Sequence, residues 1–265
     1  YVVTVMNGGF DDLNFEIVMS DAWIKIEKKQ LGKDTYEIKV GINWKKLKKN
    51  AAGSIEFIAE GQKVTVMVNA FVYDCYGLLK GTFVETTEKI SMLASSYFSK
   101  QGKNGVDWTT IDSYGKAAFE DRGKHASIKC LPSGISFPAK KDSPFVEYRF
   151  YINNPGKYTI TSVLAPVNNH EKYKGLNFGL CLNDGRLEVI NSLPVSYAAG
   201  DHNDVNWCNA VLENCRRINH EIKLEKGLNS LKFYLIDADI VLQKIEIAKT
   251  PSKAFYGIPG TFYID

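Results

Sequence analysis

The chain has 265 residues, 45% hydrophobic and 24% charged, enough for one large buried core or two ordinary ones. With 33 Lys and Arg against 30 Asp and Glu, the net charge of +3 is too balanced for a nucleic-acid footprint. No apolar run is long enough to span a bilayer as a helix.

The chain opens without Met, inside a strand-like YVVTV, which is the expectation for a processed or excised piece of a longer protein. YVVTVMN, LNFEIVMS, WIKIE, TYEIKVGIN, GSIEFIAE and KVTVMVNA follow as short strand-like runs, parted by turn signals such as NGG, LGKD and EGQ. Lys25 and Glu27 alternate with Ile24 and Ile26, as a sheet with one wet face requires. This predicts a small immunoglobulin-like sandwich over 1–72. Trp23 and Trp44 are expected against its core, and the basic run WKKLKKN at 44–50 reads as a solvated turn. Residues 73–83 form a connector too apolar for a free linker.

From 84 to 251 the strand-like runs are ISMLASSYF, AAFEDR, SIKCLP, FVEYRFYIN, GKYTITSVLAP, LNFGLCLNDG, RLEVINSL, INHEIKL, NSLKFYLI and DIVLQKIEI. Their number and the turns NNPG, NDG and EKG predict a larger jelly-roll β-sandwich of two antiparallel sheets, galactose-binding-like in architecture. The chain is therefore expected to be all-β, with at most one helical turn or so in WCNAVLENC. One fault stands in the last strand. Ile240 and Leu242 share one face, Ile245 and Ile247 the other, so the apolar side changes at Gln243–Lys244. Either a bulge sits there or a carboxamide enters the core. Residues 252–265 are rich in aromatics around Pro259, which predicts a packed C-terminal tail.

PFVEYRFYINNPGKYTITSVLAPVNN, KGLNFGLCLNDG, the segment from Trp207 through VLQKIEI, and FYGIPGT resemble the C-terminal domain of glycoside hydrolase family 115, the xylan α-glucuronidases. FEIVMSDAWIKIE and VGINWKKL are similar to the immunoglobulin-like segment preceding that domain. The resemblance implies a non-catalytic accessory region of a polysaccharide-degrading enzyme, periplasmic or extracellular, whose catalytic pocket lies in upstream domains. Its partners would be those domains, a second copy of the chain, or xylan and related polysaccharide. The residues agree. No nucleophile elbow, no zinc-protease motif and no phosphate loop is present. None of Glu120, Asp121, Asp201, Asp204, Asp237 or Asp239 stands in a context marking it as a glycosidase acid or nucleophile. Gln243 belongs to the family-like motif and is read as structural, tying a bulge or an incoming loop to the last strand.

The alternative function is a carbohydrate-binding module. Sugar recognition needs an aromatic platform with polar side chains around it. Three loops offer these: Trp108 and Tyr114; Asn169, His170 and Tyr173; Asn206 and Trp207. Jelly rolls of this kind also resemble binding modules of families 6 and 35, whose early acidic stretch holds a structural calcium. Here Leu93 and Ser95 stand where the acids would, so calcium there is disfavoured and no cofactor is expected. Asp201, Asn203 and Asp204 are the remaining metal candidates, and they lack the framing of a calcium loop. Cys75, Cys130, Cys181, Cys208 and Cys215 form no C-x-x-C pair and read as small apolar fillers. The series His202, Cys208, Cys215, His220 has ligand types but no zinc spacing.

Overall fold

A computed structural model describes residues 1–8, 11–72, 80–112, 114, 127–168, 175–253, 257 and 263–264. The chain forms two compact units, Tyr1–Tyr76 and Gly77–Asp265. In the first, all six strand-like runs are strands: β1 (Val2–Met6), β2 (Glu16–Met19), β3 (Ile24–Gln30), β4 (Thr35–Ile42), β5 (Ala51–Ala59) and β6 (Gln62–Ala70). They pair as two three-stranded sheets, β1-β4-β3 and β2-β5-β6. Between them lie Trp23, Ile24, Ile38, Leu47, Ile55, Phe57 and Ala70. Gly53 leaves room for Trp23, because a Cβ there would stand 2.9 Å from the indole. Trp44 departs from expectation. It opens a 3-10 turn, Trp44–Lys46, and is 55% exposed, since that short turn turns no residue inward.

The second unit is built from thirteen strands among its described residues. They are β7 (Thr82–Val84), β8 (Lys89–Leu93), β9 (Ser99–Gln101), β10 (Asp107–Ile111), β11 (Ser127–Leu131), β12 (Phe145–Ile152), β13 (Gly156–Leu164), β14 (Asn177–Leu182), β15 (Leu187–Asn191), β16 (Arg216–Leu224), β17 (Gly227–Leu235), β18 (Leu242–Ala248) and β19 (Tyr263–Ile264). One sheet runs β10-β11-β18-β13-β16, with β8 also on β18. The other runs β15-β14-β17-β12-β7-β19, with β9 also on β12. Its pairing is not wholly antiparallel, because β7 lies parallel to β12. Thr82 and Phe83, expected in the connector, are thus strand residues and fully buried. AAFEDR lies outside the described residues.

The sheets enclose one apolar core. β12 supplies Val146, Tyr148, Phe150 and Ile152 at every second position, and β17 supplies Leu231, Phe233 and Leu235 in the same way. They meet Tyr158 and Ile160 of β13, Ile90 and Met92 of β8, and Leu242, Ile245 and Ile247 of β18. Phe178 stacks on Phe233 at 4.7 Å, and Trp108 meets the same ring edge-on at 5.9 Å. Each such side chain contributes on the order of 1.5–3 kcal/mol by leaving water. Cys130, Cys181 and Cys215 are buried free thiols, and burial pushes the Cys130 thiol up to about 12. An inert, apolar role follows.

β18 carries a bulge where the apolar pattern changes side. Leu164 pairs with Leu242, but its neighbour Val163 pairs with Lys244, leaving Gln243 as the extra residue. Leu242 and Ile245, three apart, can therefore both enter the core. The flanking partner changes at the same place. Leu242 pairs with Ile128 of β11, whereas Lys244–Ala248 pair with β8. The Gln243 carbonyl accepts from Ala94 N at 3.1 Å. Its side chain, fully buried, donates from Nε2 to the Asn214 carbonyl at 3.3 Å. Asn214 ends helix α1 (Val205–Glu213) in the left-handed conformation, φ 49°. The carboxamide thus satisfies a helix-end carbonyl that would otherwise be orphaned.

At the C-terminus, Tyr263 and Ile264 pair with Phe83 and Thr82 of β7. The chain on its way there passes Glu246, because a Cβ at Gly257 (φ 74°) would collide with that carboxylate.

Replacing Gln243 by Ala leaves the Asn214 carbonyl without its donor. The expected outcome is a loss of about 1–3 kcal/mol in unfolding free energy, measured by urea denaturation of the whole chain.

Candidate functional site

The described part of the second unit contains a cleft of about 490 Å³. Three elements make it: the turn after β15 (Asn191, Ser192, Pro194), one face of α1 (Asn206, Asn209, Ala210, Glu213) and the head of β16 (Cys215–Ile218). Helix α1 is longer than the single turn expected from WCNAVLENC. Asp204 caps it, its Oδ1 accepting from Asn206 N at 2.8 Å and Trp207 N at 3.3 Å. Its Oδ2 accepts from Ala198 N at 2.7 Å, fastening the preceding loop to the helix.

Two adjacent arginines behave differently. Arg217 is neutralised, with Nε 3.3 Å from Glu213 Oε2 and Nη1 3.5 Å from Glu246 Oε2. Arg216 is buried, and among the described residues its only charge-related contact is the Tyr197 ring, 5.8 Å away. Burial lowers its pKa from 12.5 to about 10, so it remains a cation at neutral pH. Asn191 uses its carbonyl on Leu176 N and Leu193 N, at 3.3 and 3.0 Å, which leaves its amide N–H₂ unbonded within the described residues.

The sequence-derived sugar residues are scattered. Trp108 is corrected most plainly. It is 1% exposed, and the segment DWTTI around it is strand β10, which aims the indole into the core. The apolar alternation of Val106 and Trp108 next to β-branched Thr109, Thr110 and Ile111 was the available signal. Trp207 is half-buried against Leu176, Leu193 and Tyr197, with its ring edge to His202 at 5.4 Å, and it does not line the cleft. Tyr114 is exposed on another segment, where its carbonyl accepts from Ser127 Oγ. Asn169, His170 and Tyr173 lie outside the described residues. Of the four described candidates, Asn206 alone lines the cleft.

The metal candidates have other employment. Asp204 gives both oxygens to backbone N–H groups, and Asp201 closes a turn by accepting from Asn203 N at 2.8 Å and Asn203 Nδ2 at 3.0 Å. Among the described residues no three His, Cys, Asp or Glu come together as metal ligands. Cys208 donates to the His202 carbonyl, Cys215 lies near Glu213, and His220 faces Glu188 at 3.2 Å, so the four potential zinc ligands point to separate partners. Sequence reasoning passed over Arg216. A basic pair RR at the head of a strand gives no hint that one member is buried and the other paired.

The model of the glycosyl hydrolase family 115 C-terminal domain matches residues 82–259. The chain belongs to that family. The matched span takes in every strand from β7 to β18, the bulge at Gln243 and every described residue that lines the cleft. No curated protein matches the chain. Among solved structures, it is similar to a family GH115 4-O-methyl-α-glucuronidase with specificity for decorated arabinogalactans. That match has 14% identity and a TM-score of 0.38, over 58% of this chain and 18% of the other. It is similar also to a family 35 carbohydrate binding module from an environmental isolate, with 13% identity and a TM-score of 0.37, over 62% and 98%. A third is the binding module of Cellvibrio mixtus lichenase 5A in complex with cellotriose, with 16% identity and a TM-score of 0.36, over 60% and 96%. This family 115 C-terminal domain chain thus spans under a fifth of the glucuronidase.

The backbone N–H groups of Ala198, Asn206 and Trp207, in that order from Ala198, hold the Asp204 carboxyl below the ordinary carboxylate range. Its folded value lies below its unfolded one, about 3.9. Its stabilisation is therefore complete above that value and is lost as pH falls through the folded value. Asp204→Ala should be less stable than the parent at neutral pH, and the gap should close in acid. Denaturation curves of both proteins at pH 7 and below pH 4 check this.

Proposed function

We propose that the chain is a non-catalytic accessory region of a family 115 glycoside hydrolase acting on xylan-type polysaccharide outside the cytoplasm. In this reading it braces the catalytic domains or the enzyme's oligomer. The observation that carries the reading is the state of the buried carboxylates. Glycoside hydrolysis needs two carboxyl groups aimed at one bond, one of them free to give a proton. In the described residues the three buried acids are all held by the fold. Glu85 accepts from Asn153 N, Asn154 N, Asn154 Nδ2 and Tyr158 Oη. Asp237 Oδ2 accepts from Asn177 N and Nδ2 at 2.7 and 2.8 Å. Glu246 pairs with Lys244 at 3.1 Å and with Arg217.

These groups tie strands and turns together, and none faces the cleft opposite a second acid. Glu85 joins the end of β7 to the β12–β13 turn. Asp237 joins β14 to the exit of β17. Asp239 extends the pattern by accepting from Gly134 N at 3.2 Å. Their lone pairs are spent on backbone amides and on neighbouring side chains, which suits carboxylates that keep the scaffold rigid.

The purified chain, incubated with glucuronoxylan, should release no methylglucuronic acid above a heat-killed control. Release at an enzymatic rate would overturn the accessory reading.

A further inference from the structure

Five charged side chains are buried in the described residues: Glu85, Arg216, Asp237, Lys244 and Glu246. Four of them are hydrogen-bonded or ion-paired, as set out above. Arg216 is the exception. It is 9% exposed, lines the cleft, and has no hydrogen bond or ion pair among the described residues. A buried charge without a partner is costly, and burial of a guanidinium is ordinarily matched by a carboxylate. The Tyr197 ring at 5.8 Å stands near the outer limit of cation–π attraction, so it offsets only part of that cost. The Tyr197 hydroxyl is itself buried without a partner among the described residues.

We propose that this cleft is an anion site for a hydroxylated monocarboxylate of sugar-acid size, with Arg216 as the anchor for the carboxylate. Three features select that chemistry. The guanidinium fork matches a carboxylate through two parallel hydrogen bonds. Among the described lining residues the charge is single, because Arg217 is already balanced by Glu213 and Glu246, and one free cation suits a monoanion better than a phosphate dianion. Amides line the same cleft: Asn209, and Asn191, whose N–H₂ has no bond among the described residues, and such groups suit hydroxyls. Among the described lining residues none is aromatic, so they offer a neutral sugar no stacking face, which is the main source of its affinity. The volume of about 490 Å³ lies in the range of small-molecule sites. The inference is independent of whether the chain braces catalytic domains.

The test is titration of the whole chain with sodium glucuronate, with glucose and with inorganic phosphate at one ionic strength, followed by amide chemical shifts. The expected result is glucuronate binding at least about tenfold tighter than glucose or phosphate, with shifts gathered at 191–194 and 205–218. Arg216→Gln should weaken glucuronate about tenfold or more, and Arg216→Lys less, since the ammonium keeps the charge but not the fork. If Arg216→Gln fails to fold by circular dichroism, Arg216→Lys and Asn209→Ala carry the comparison, both expected to weaken binding. Glucuronate binding no tighter than glucose would overturn the site. Phosphate binding as tight as glucuronate would overturn the carboxylate assignment. So would unchanged glucuronate affinity in the folded variants. None of these outcomes bears on glycosidase activity, which the release assay reads separately.

Discussion

Strand β18 serves the core only because it holds one residue more than its neighbour. A regular strand would send Leu242 and Ile245 to opposite faces, and one of them would leave the apolar interior. The unpaired Gln243 resets the alternation, so Leu242, Ile245 and Ile247 all enter the space between the sheets. Much of the second unit is keyed to that point. β11 gives way to β8 there, Ala94 is fixed to the Gln243 carbonyl, and the amide reaches the end of α1. An alanine in its place would keep the bulge without the tie.

The outer side of the same strand explains where the polar residues of the last strand go. Lys244 and Glu246, 4% and 2% exposed at their side chains, pair with each other on the face away from the core. Arg217 reaches Glu246 from β16, and the approach of Gly257 to that carboxylate leaves no space for a side chain. Low local dielectric strengthens such a cluster and makes any unsatisfied member expensive. That economy is what gives Arg216 its interest. On the opposite parity of β16 from Arg217, it is denied the acids that satisfy its neighbour, and it faces an amide-lined cleft.

The cleft also depends on a helix whose presence rests on short-range chemistry. Asp204 caps α1 with one oxygen and holds the preceding loop with the other, which sets Asn206 and Asn209 along one wall. The opposite wall is the turn after β15, whose Asn191 carbonyl is occupied by two backbone N–H groups. The Asn191 side chain and the helix that carries Asn206 and Asn209 are thus positioned by hydrogen bonds to backbone, which cost little entropy at the moment of binding because they are already made. The buried acids Glu85 and Asp237 of the same unit are committed to the scaffold in the same manner.

The all-β character, the six strands of the first unit and most strands of the second were legible from alternation and turn residues, because those signals are local. So was the fault at Gln243: a period-two pattern that changes phase must be absorbed by an extra residue or by a buried amide, and here both occur. Trp108 reads as a loop platform when only its neighbours NG and SY are weighed, whereas its alternation with Val106 beside β-branched Thr109, Thr110 and Ile111 marks a strand residue that faces the core. Thr82 and Phe83 were read as connector because three strand residues are too few to show a period. The distinction between Arg216 and Arg217 was beyond sequence altogether. Their identical side chains differ only in strand parity and in which acids, the nearby Glu213 and the distant Glu246, the fold brings within reach. By itself the sequence determined the strands, their turns and the place of the bulge, all of which follow from interactions between near neighbours. Only the tertiary structure decided which charges were left without partners, because a partner is a matter of distance in space.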